Sequence, residues 1–319
     1  MKKQKIKIAL LSGGISGERE VSLKTGGQIY GALSKNKYII HKYDPKRDLK
    51  KFINGAINKK FDLVFPALHG PFGEDGKLQG MLDMINMPYV FSGCLSSALA
   101  MNKAKTNVIA KNAGVPVADN IVITKDDSYK LDDIIKKLSL PVAIKPVELG
   151  SSVGISIART KNELANGIKK AFKYGPEIML EKFIKGRELT VAVMGDKNNP
   201  QALPVIEIIP KISEFYDYKA KYQTGGSEHV CPAKIPGEIK NHIQNSAIKI
   251  FKAIGCKDLA RADFIWSRDD NKIYFIELNT IPGMTSTSLA PEAAKAAGLE
   301  FNEFLDKLIE GAGKNNPIR

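Results

Sequence analysis

Strand-sized apolar runs alternate with helical stretches along the whole of this chain, and that alternation is the pattern of an α/β architecture. In the first third, Lys5–Leu11, Tyr38–Tyr43, Leu63–Ala67 and Tyr89–Phe91 read as strands, with helices over about Val21–Ser34 and Leu49–Asn58 and another before Tyr89. This section predicts a small parallel-sheet domain. A single helix over about Leu95–Asn112, closed by Gly114 and Pro116, leads into a strand-rich middle section with Pro141–Val147, Val153–Ala158 and Glu177–Ile184 around a helix near Lys161–Tyr174. The last section has strands at Glu188–Met194, Leu203–Ile209, Ala260–Trp266 and Lys272–Leu278, with helices near Gly237–Ile254 and Phe301–Ile309. Three lobes around a shared cleft are expected, divided as 1–94, 95–184 and 185–319.

With 319 residues, the chain is long enough for two domains or a few packed lobes. Its longest apolar runs are strand-sized, far short of the roughly 18 to 20 residues that cross a bilayer, so no membrane role is expected. The run at Ile6–Leu11 is too short for a signal peptide and Lys7 interrupts it, which predicts a cytoplasmic protein. Cys94, Cys231 and Cys256 are odd in number and widely spaced, as reduced structural thiols would be. The excess of 48 Lys+Arg over 34 Asp+Glu gives +14, yet the lysines are spread through every segment without an arginine-rich tract, so no nucleic-acid partner is expected.

Chemistry concentrates in a few segments. On a strand, residues two apart share a face, so Arg261 points with Asp263, and Glu277 with Asn279, leaving Ala262, Phe264, Ile276 and Leu278 for a core. Asp, Glu and Asn are hard oxygen ligands of the kind that hold nucleotide-bound Mg²⁺; a salt bridge between neighbouring strands is the other reading. Lys145 ends an apolar strand ahead of Gly150-Ser151-Ser152-Val153-Gly154, a loop whose backbone N–H groups can point at phosphate, although no Walker A spacing occurs. Gly13-Gly14-Ile15-Ser16-Gly17 follows the first strand but lacks Gly-x-Gly-x-x-Gly, which disfavours NAD. In the next residues Glu18 can cap a helix or meet a substrate ammonium group. His69 lies just past a strand's carboxyl end, where ligands of parallel sheets collect; a hydrogen-bonded structural histidine is the other reading. The polar, glycine-bearing stretch Phe215–Pro232 reads as a lid carrying Lys221 and Tyr222.

Taken in order, Gly13-Gly14-x-Ser16-x-Glu18-Arg19-Glu20-Val21-Ser22, His69-Gly70, Gly73-Glu74-Asp75-Gly76-x-x-Gln79-Gly80, Gly150-Ser151-Ser152-Val153-Gly154, Tyr216-Asp217-Tyr218-x-Ala220-Lys221-Tyr222, Arg261-x-Asp263 and Glu277-x-Asn279-Thr280-x-Pro282-Gly283-Met284-Thr285 resemble the D-alanine:D-alanine ligases of the ATP-grasp superfamily. The likeness runs from about Ile6 to Ile309. It implies an α/β, three-lobed ATP-grasp architecture, with an N-terminal substrate-binding parallel-sheet domain and ATP held between two mixed α+β lobes. It also implies ATP-driven joining of two D-alanines through an acyl phosphate, for peptidoglycan precursors, with Mg²⁺ (two ions, Mn²⁺ as a substitute) and a homodimer as the assembly.

The same resemblance assigns roles. Glu18 would hold the first D-alanine's ammonium and join Ser151 and Tyr222 in a hydrogen-bonded group, with His69 nearby. Lys103, Lys145 and Lys221 would contact ATP phosphates; Glu181, Lys182, Phe183 and Ile184 would line the adenine pocket, and Glu188 would bind ribose. Asp263, Glu277 and Asn279 would hold metal. Arg261 and the N–H of Gly283 would stabilise the oxyanion, and Ser288 with the N–H of Leu289 would take the second D-alanine's carboxylate. Pro71-Phe72 and Thr287 depart from the family's usual residues without touching an expected ligand. Tyr222 in its Tyr-x-Ala-Lys-Tyr setting favours the peptide-forming branch over D-alanyl-D-lactate synthesis, and another carboxylate-amine ligase is the nearest alternative.

Overall fold

Strands β1 (Ile6–Leu11), β2 (Tyr38–Tyr43) and β3 (Leu63–Pro66) form a parallel sheet in the order β2-β1-β3, linked by helices α1 (Arg19–Ala32) and α2 (Pro45–Ile57). The last four residues of β1 and all of β3 are buried, which is why both read as continuous apolar runs. The computed structural model describes residues 4–150, 153–212, 223, 225–285 and 287–315. After α3 (Lys77–Met84), the expected strand at Tyr89–Phe91 is reduced to one bridge between Val64 and Tyr89. Phe91 has φ +78°, so the chain turns away after two backbone bonds to Val64.

The helix expected over Leu95–Asn112 is two helices, α4 (Cys94–Met101) and α5 (Lys103–Asn112). Asn102 breaks it: its backbone is extended and its side chain caps α5 by accepting from Lys105 N at 3.0 Å. Asparagine competes with the helical backbone in this way and is favoured at caps. The break frees Lys103 N to donate to Val147 O at 3.1 Å, tying α5 to the middle sheet. That sheet contains β4 (Asn120–Thr124), β5 (Val142–Pro146), β6 (Ser156–Ala158) and β7 (Glu177–Lys182), antiparallel in the order β4-β7-β5-β6, with helices α6 (Leu131–Leu138) and α7 (Lys161–Ala171). Only Ser156–Ala158 of the expected Val153–Ala158 strand pairs.

The third sheet has β8 (Gly186–Gly195), β9 (Gln201–Ala202), β10 (Ile206–Pro210), β11 (Ser227–Val230), β12 (Asp258–Ser267) and β13 (Ile273–Asn279). Its order is β11-β10-β8-β12-β13, with β9 alongside β8. Helices α8 (Gly237–Ile254), α9 (Leu289–Ala296) and α10 (Phe301–Asn315) complete it. The end of the expected lid segment is therefore partly the strand β11, polar because it lies at a sheet edge.

One apolar core joins the first sheet to the third. Ile8, Leu10, Phe65 and Phe91 are buried in the same cluster as Ile206, Ile208, Phe304 and Leu308. At its edge Tyr38 Oη donates to Asp306 Oδ1 at 2.7 Å and Lys37 Nζ to Asp306 Oδ2 at 2.6 Å. A second core lies under α8, against β8 and β12, and a third fills the middle sheet. Because burial locks the first sheet to the third, loops from both can form one cleft.

Candidate functional site

The pairing of β12 with β13 sets the centre of the site. Arg261 faces Asn279 and Asp263 faces Glu277 in register, but Phe264 then faces Phe275, so Ile276 is an extra residue in a β-bulge. Phe275 is buried and packs edge-on to Phe264 at 5.8 Å between ring centroids. The expectation that Ile276 faces the core is thus corrected. Phe275 fills that place, and Ile276 lines the cavity beside Glu277. Glu277 and Asn279, paired in register with Asp263 and Arg261 on the regular side of the bulge, share the face carrying Asp263. Arg261 grips Asp263 with two bonds, Nε to Oδ1 at 2.9 Å and Nη2 to Oδ2 at 2.8 Å. From β8, Thr190 Oγ1 donates to Asp263 Oδ1 at 2.5 Å. Lys103 Nζ lies 3.5 Å from Glu277 Oε2, and Asn279 Oδ1 accepts from Ile281 N at 2.9 Å. Of the two readings open in the sequence, a salt bridge does form, but between Arg261 and Asp263 on one strand, next to the oxygen cluster.

A cavity of about 110 Å³ opens between the middle and third sheets, lined by Lys145, Glu181, Lys182, Phe183, Ile184, Glu188, Asp263 and Glu277 among others. Ala143, Ile155, Ile157 and Ile208 supply apolar walls. Lys145 (8% exposed) and Glu181 (7%) form a buried pair, Nζ to Oε1 2.5 Å, and Asn107 Nδ2 reaches Glu181 Oε2 at 3.4 Å. Burying both charges is tolerable because each has the other.

A larger cleft of about 690 Å³ adjoins it, lined by Glu18, His69, Glu74, Lys103, Gly150, Arg261, Glu277, Asn279, Gly283, Ser288 and Leu289 among others. Glu277 lines both. Glu18 stands at the N-cap of α1 but its side chain makes no capping bond, so the cap reading does not hold. Its Oε2 comes so close to Gly70 that a Cβ there would lie 2.8 Å away, and Gly70 has φ +73°, which together explain glycine at that position. His69 is buried, its Nε2 3.2 Å from Thr25 Oγ1 and its Nδ1 3.8 Å from Glu74 Oε1. Past β13, Ser288 Oγ accepts from Thr285 N at 3.1 Å and lies 2.7 Å from Thr285 Oγ1. A Cβ on Gly283 would come within 2.9 Å of that Oγ. Ser151, Lys221 and Tyr222 lie outside the described residues.

The glycine loop that presents Glu18 is braced by a half-buried ion pair. Arg19 binds Asp44 at both carboxylate oxygens, 2.9 and 2.6 Å, and also donates to Gly14 O at 2.7 Å, while Gly14 N donates to Asp44 Oδ1 at 3.0 Å. The Arg19 guanidinium holds the Asp44 carboxyl well below the usual carboxylate range. A group depressed in the folded state contributes stability above its unfolded pKa and loses it as pH falls toward the folded value. Wild type should therefore exceed Asp44→Asn in urea-unfolding stability by an increment that is flat above about pH 5 and shrinks below about pH 4. An increment unchanged through that acid window would show that the pair does not stabilise the loop.

The model for the D-ala D-ala ligase C-terminus matches residues 109–310, and that for the D-ala D-ala ligase N-terminus matches residues 41–94. The chain belongs to the D-alanine–D-alanine ligase family. Among these ligases it is 45% identical to the D-alanine–D-alanine ligase of Syntrophobacter fumaroxidans, with 97% of this chain and 98% of that one covered. It is 42% identical to the enzyme of Pelotomaculum thermopropionicum, covering 98% and 99%. The ATP-complexed D-alanine–D-alanine ligase of Bacillus anthracis superposes with a TM-score of 0.85 at 31% identity, covering 98% of both chains. The VanG D-Ala:D-Ser ligase of Enterococcus faecalis gives 0.83 at 33% identity, covering 97% and 100%. The expected ATP-grasp fold is the one this ligase chain has. No helix among its described residues is long and apolar enough to cross a membrane.

The described members of the expected set converge on the two adjoining cavities. Sequence patterns do not reveal the residues that support them: Thr190 on Asp263, Asn107 on Glu181, Thr25 and Glu74 on His69, and Thr285 on Ser288. Each acts through a partner distant in sequence or through a turn, and no periodicity marks such a group. Glu74 and Thr285 do fall inside motifs of the family resemblance, but nothing local to them names the side chain each supports.

Proposed function

We propose that this protein uses ATP to join two D-alanines into D-alanyl-D-alanine for peptidoglycan precursors. The observation that carries this reading is that Glu277, opposite Asp263, lines both the smaller cavity and the larger cleft. A nucleotide in the first and amino acids in the second would meet there. The first carboxylate takes the γ-phosphoryl group and ADP leaves; the second amine then attacks the acyl carbon and phosphate departs. A free carboxylate is a poor electrophile, so phosphorylation supplies the leaving group, and the protein positions groups and neutralises charge.

Asp263, Glu277 and Asn279 fit Mg²⁺: all three offer oxygen, two are anionic, and magnesium keeps phosphate and water in its remaining positions. Bound there, Mg²⁺ or Mn²⁺ would neutralise charge on the transferring phosphoryl oxygens. Lys103 and Lys145, with Lys221, contact the phosphates; Glu181 to Ile184 receive adenine and Glu188 the ribose. Glu18 takes the first ammonium beside His69, with Ser151 and Tyr222 completing that group. Arg261 and the N–H of Gly283 face the oxyanion, and Ser288 with Leu289 N–H receives the second carboxylate. Lobes 1–94, 95–184 and 185–319, a cytoplasmic location and a homodimer belong to the same reading.

The test is phosphate release with ATP, Mg²⁺ and D-alanine, compared with L-alanine and with D-alanine plus D-lactate, products being identified by mass. D-alanyl-D-alanine formed one-for-one with phosphate is the expected result. Turnover only with another amino or hydroxy acid would keep the ATP-dependent ligase chemistry and overturn the substrate.

A further inference from the structure

His229, in the wall of the larger cleft, makes a contact with Glu292 that none of the roles above uses. His229, on β11, lines the same cleft as Arg261, Gly283, Ser288 and Leu289. Its Nδ1 lies 3.0 Å from Glu292 Oε2, and its Nε2 lies 3.4 Å from Ser227 Oγ. An ionised carboxylate only accepts, so Nδ1 carries the hydrogen. The side chains are 19% and 30% exposed, so the pair is half-shielded from water rather than a loose surface contact. Glu292 belongs to the first turn of α9, and its N donates to Ser288 O at 3.0 Å. Cys231, just past β11, adds a second tie, with Sγ 3.9 Å from Glu292 O.

Two features make this pair more than a brace. Helix α9 has no side-chain cap, Ser288 Oγ being engaged by Thr285 instead, and its first residue, Leu289, lines the cleft where an amino acid's carboxylate is proposed to bind. Glu292 brings a like charge within one turn of that position, where it would compete for the same N–H groups and repel the incoming carboxylate. Engaging Glu292 with His229 turns the charge toward β11 and fixes the angle of α9 against the third sheet. We propose that His229 is a positioning residue for the second amino acid, acting through Glu292 to orient the N-terminus of α9 and keep its first turn open to a carboxylate. This rests on the ligase reading above, and it concerns only the second of the two amino-acid sites.

The test uses initial rates over a wide D-alanine range, fitted to sequential binding of two amino acids, for wild type, His229→Gln, Glu292→Gln and the double variant. His229→Gln should raise the second Michaelis constant roughly fivefold or more, with the first constant, the ATP constant and kcat held within about twofold. Glu292→Gln removes the competing charge, so added to His229→Gln it should recover most of that loss, a rescue that a merely structural role would not show. A rise in all constants together, or a double variant no better than His229→Gln, overturns the inference. So does an unchanged second constant in His229→Gln. If wild type itself makes no dipeptide from D-alanine, the ligase reading fails and this inference with it; wild-type activity with unmoved variants sinks the inference alone.

Discussion

Asp263→Asn is expected to lower the rate of D-alanyl-D-alanine formation by about a thousandfold, equivalent to roughly 4 kcal/mol of transition-state stabilisation, while the protein stays folded. The substitution keeps shape and volume and removes one negative charge. Asp263 stands opposite Glu277 where the two cavities join, with Arg261 on both its oxygens and Thr190 on one. Without its charge the face keeps Arg261 and Lys103 but only one carboxylate, so a divalent cation loses an anionic oxygen while the cationic neighbours go uncompensated. The amide still accepts from Arg261 through one oxygen, and the backbone ladder between β12 and β13 does not depend on the side chain. Initial rates against Mg²⁺ concentration check this: the variant should need more metal and remain slow at saturation. A variant within about tenfold of wild type at ordinary Mg²⁺ would remove Asp263 from the metal site.

The second large effect separates stability from function in the smaller cavity. Lys145→Met leaves Glu181 buried with only the long contact from Asn107, and an uncompensated buried charge costs about 3–5 kcal/mol. Urea unfolding should show that loss. Adding Glu181→Met replaces the pair with apolar side chains of similar volume, and stability should return to near the wild-type level. Activity should not return, because both variants lack the cation assigned to the ATP phosphates; the Michaelis constant for ATP should stay raised in each. Recovery of ATP use in the double variant would make the pair purely structural. Failure of the double variant to regain stability would mean that this region depends on the charges themselves.

Much of the site is legible in the sequence because its chemistry is written in short local patterns. Residues two apart on β12 and β13 share a face by the geometry of a strand, which pairs Arg261 with Asp263 and Glu277 with Asn279. Glycines at Gly70 and Gly283 mark places where a side chain would collide with Glu18 or Ser288, and both fall within motifs of the family resemblance. The bounds of strand β2 follow from the sequence to the residue, because turn-forming residues flank a run rich in β-branched and aromatic side chains.

Other features depend on partners far along the chain. The break at Asn102 exists because a capping side chain competes with a helix that Leu95–Asn112 could otherwise continue, and because Lys103 N finds Val147 O. The bulge at Ile276 departs from the alternation that the apolar pattern suggests; burial of Phe275 against Phe264 outweighs a regular ladder and leaves Ile276 at the cavity. The meeting of His229 with Glu292, 63 residues apart, has no trace in any local pattern. Strand and helix periods, turn chemistry and the types of ligating atoms are properties of a few neighbouring residues, so the linear chain carries them openly. Register, bulges and cross-lobe contacts are chosen by which apolar surfaces can be buried together, and that choice exists only once the three sheets have packed.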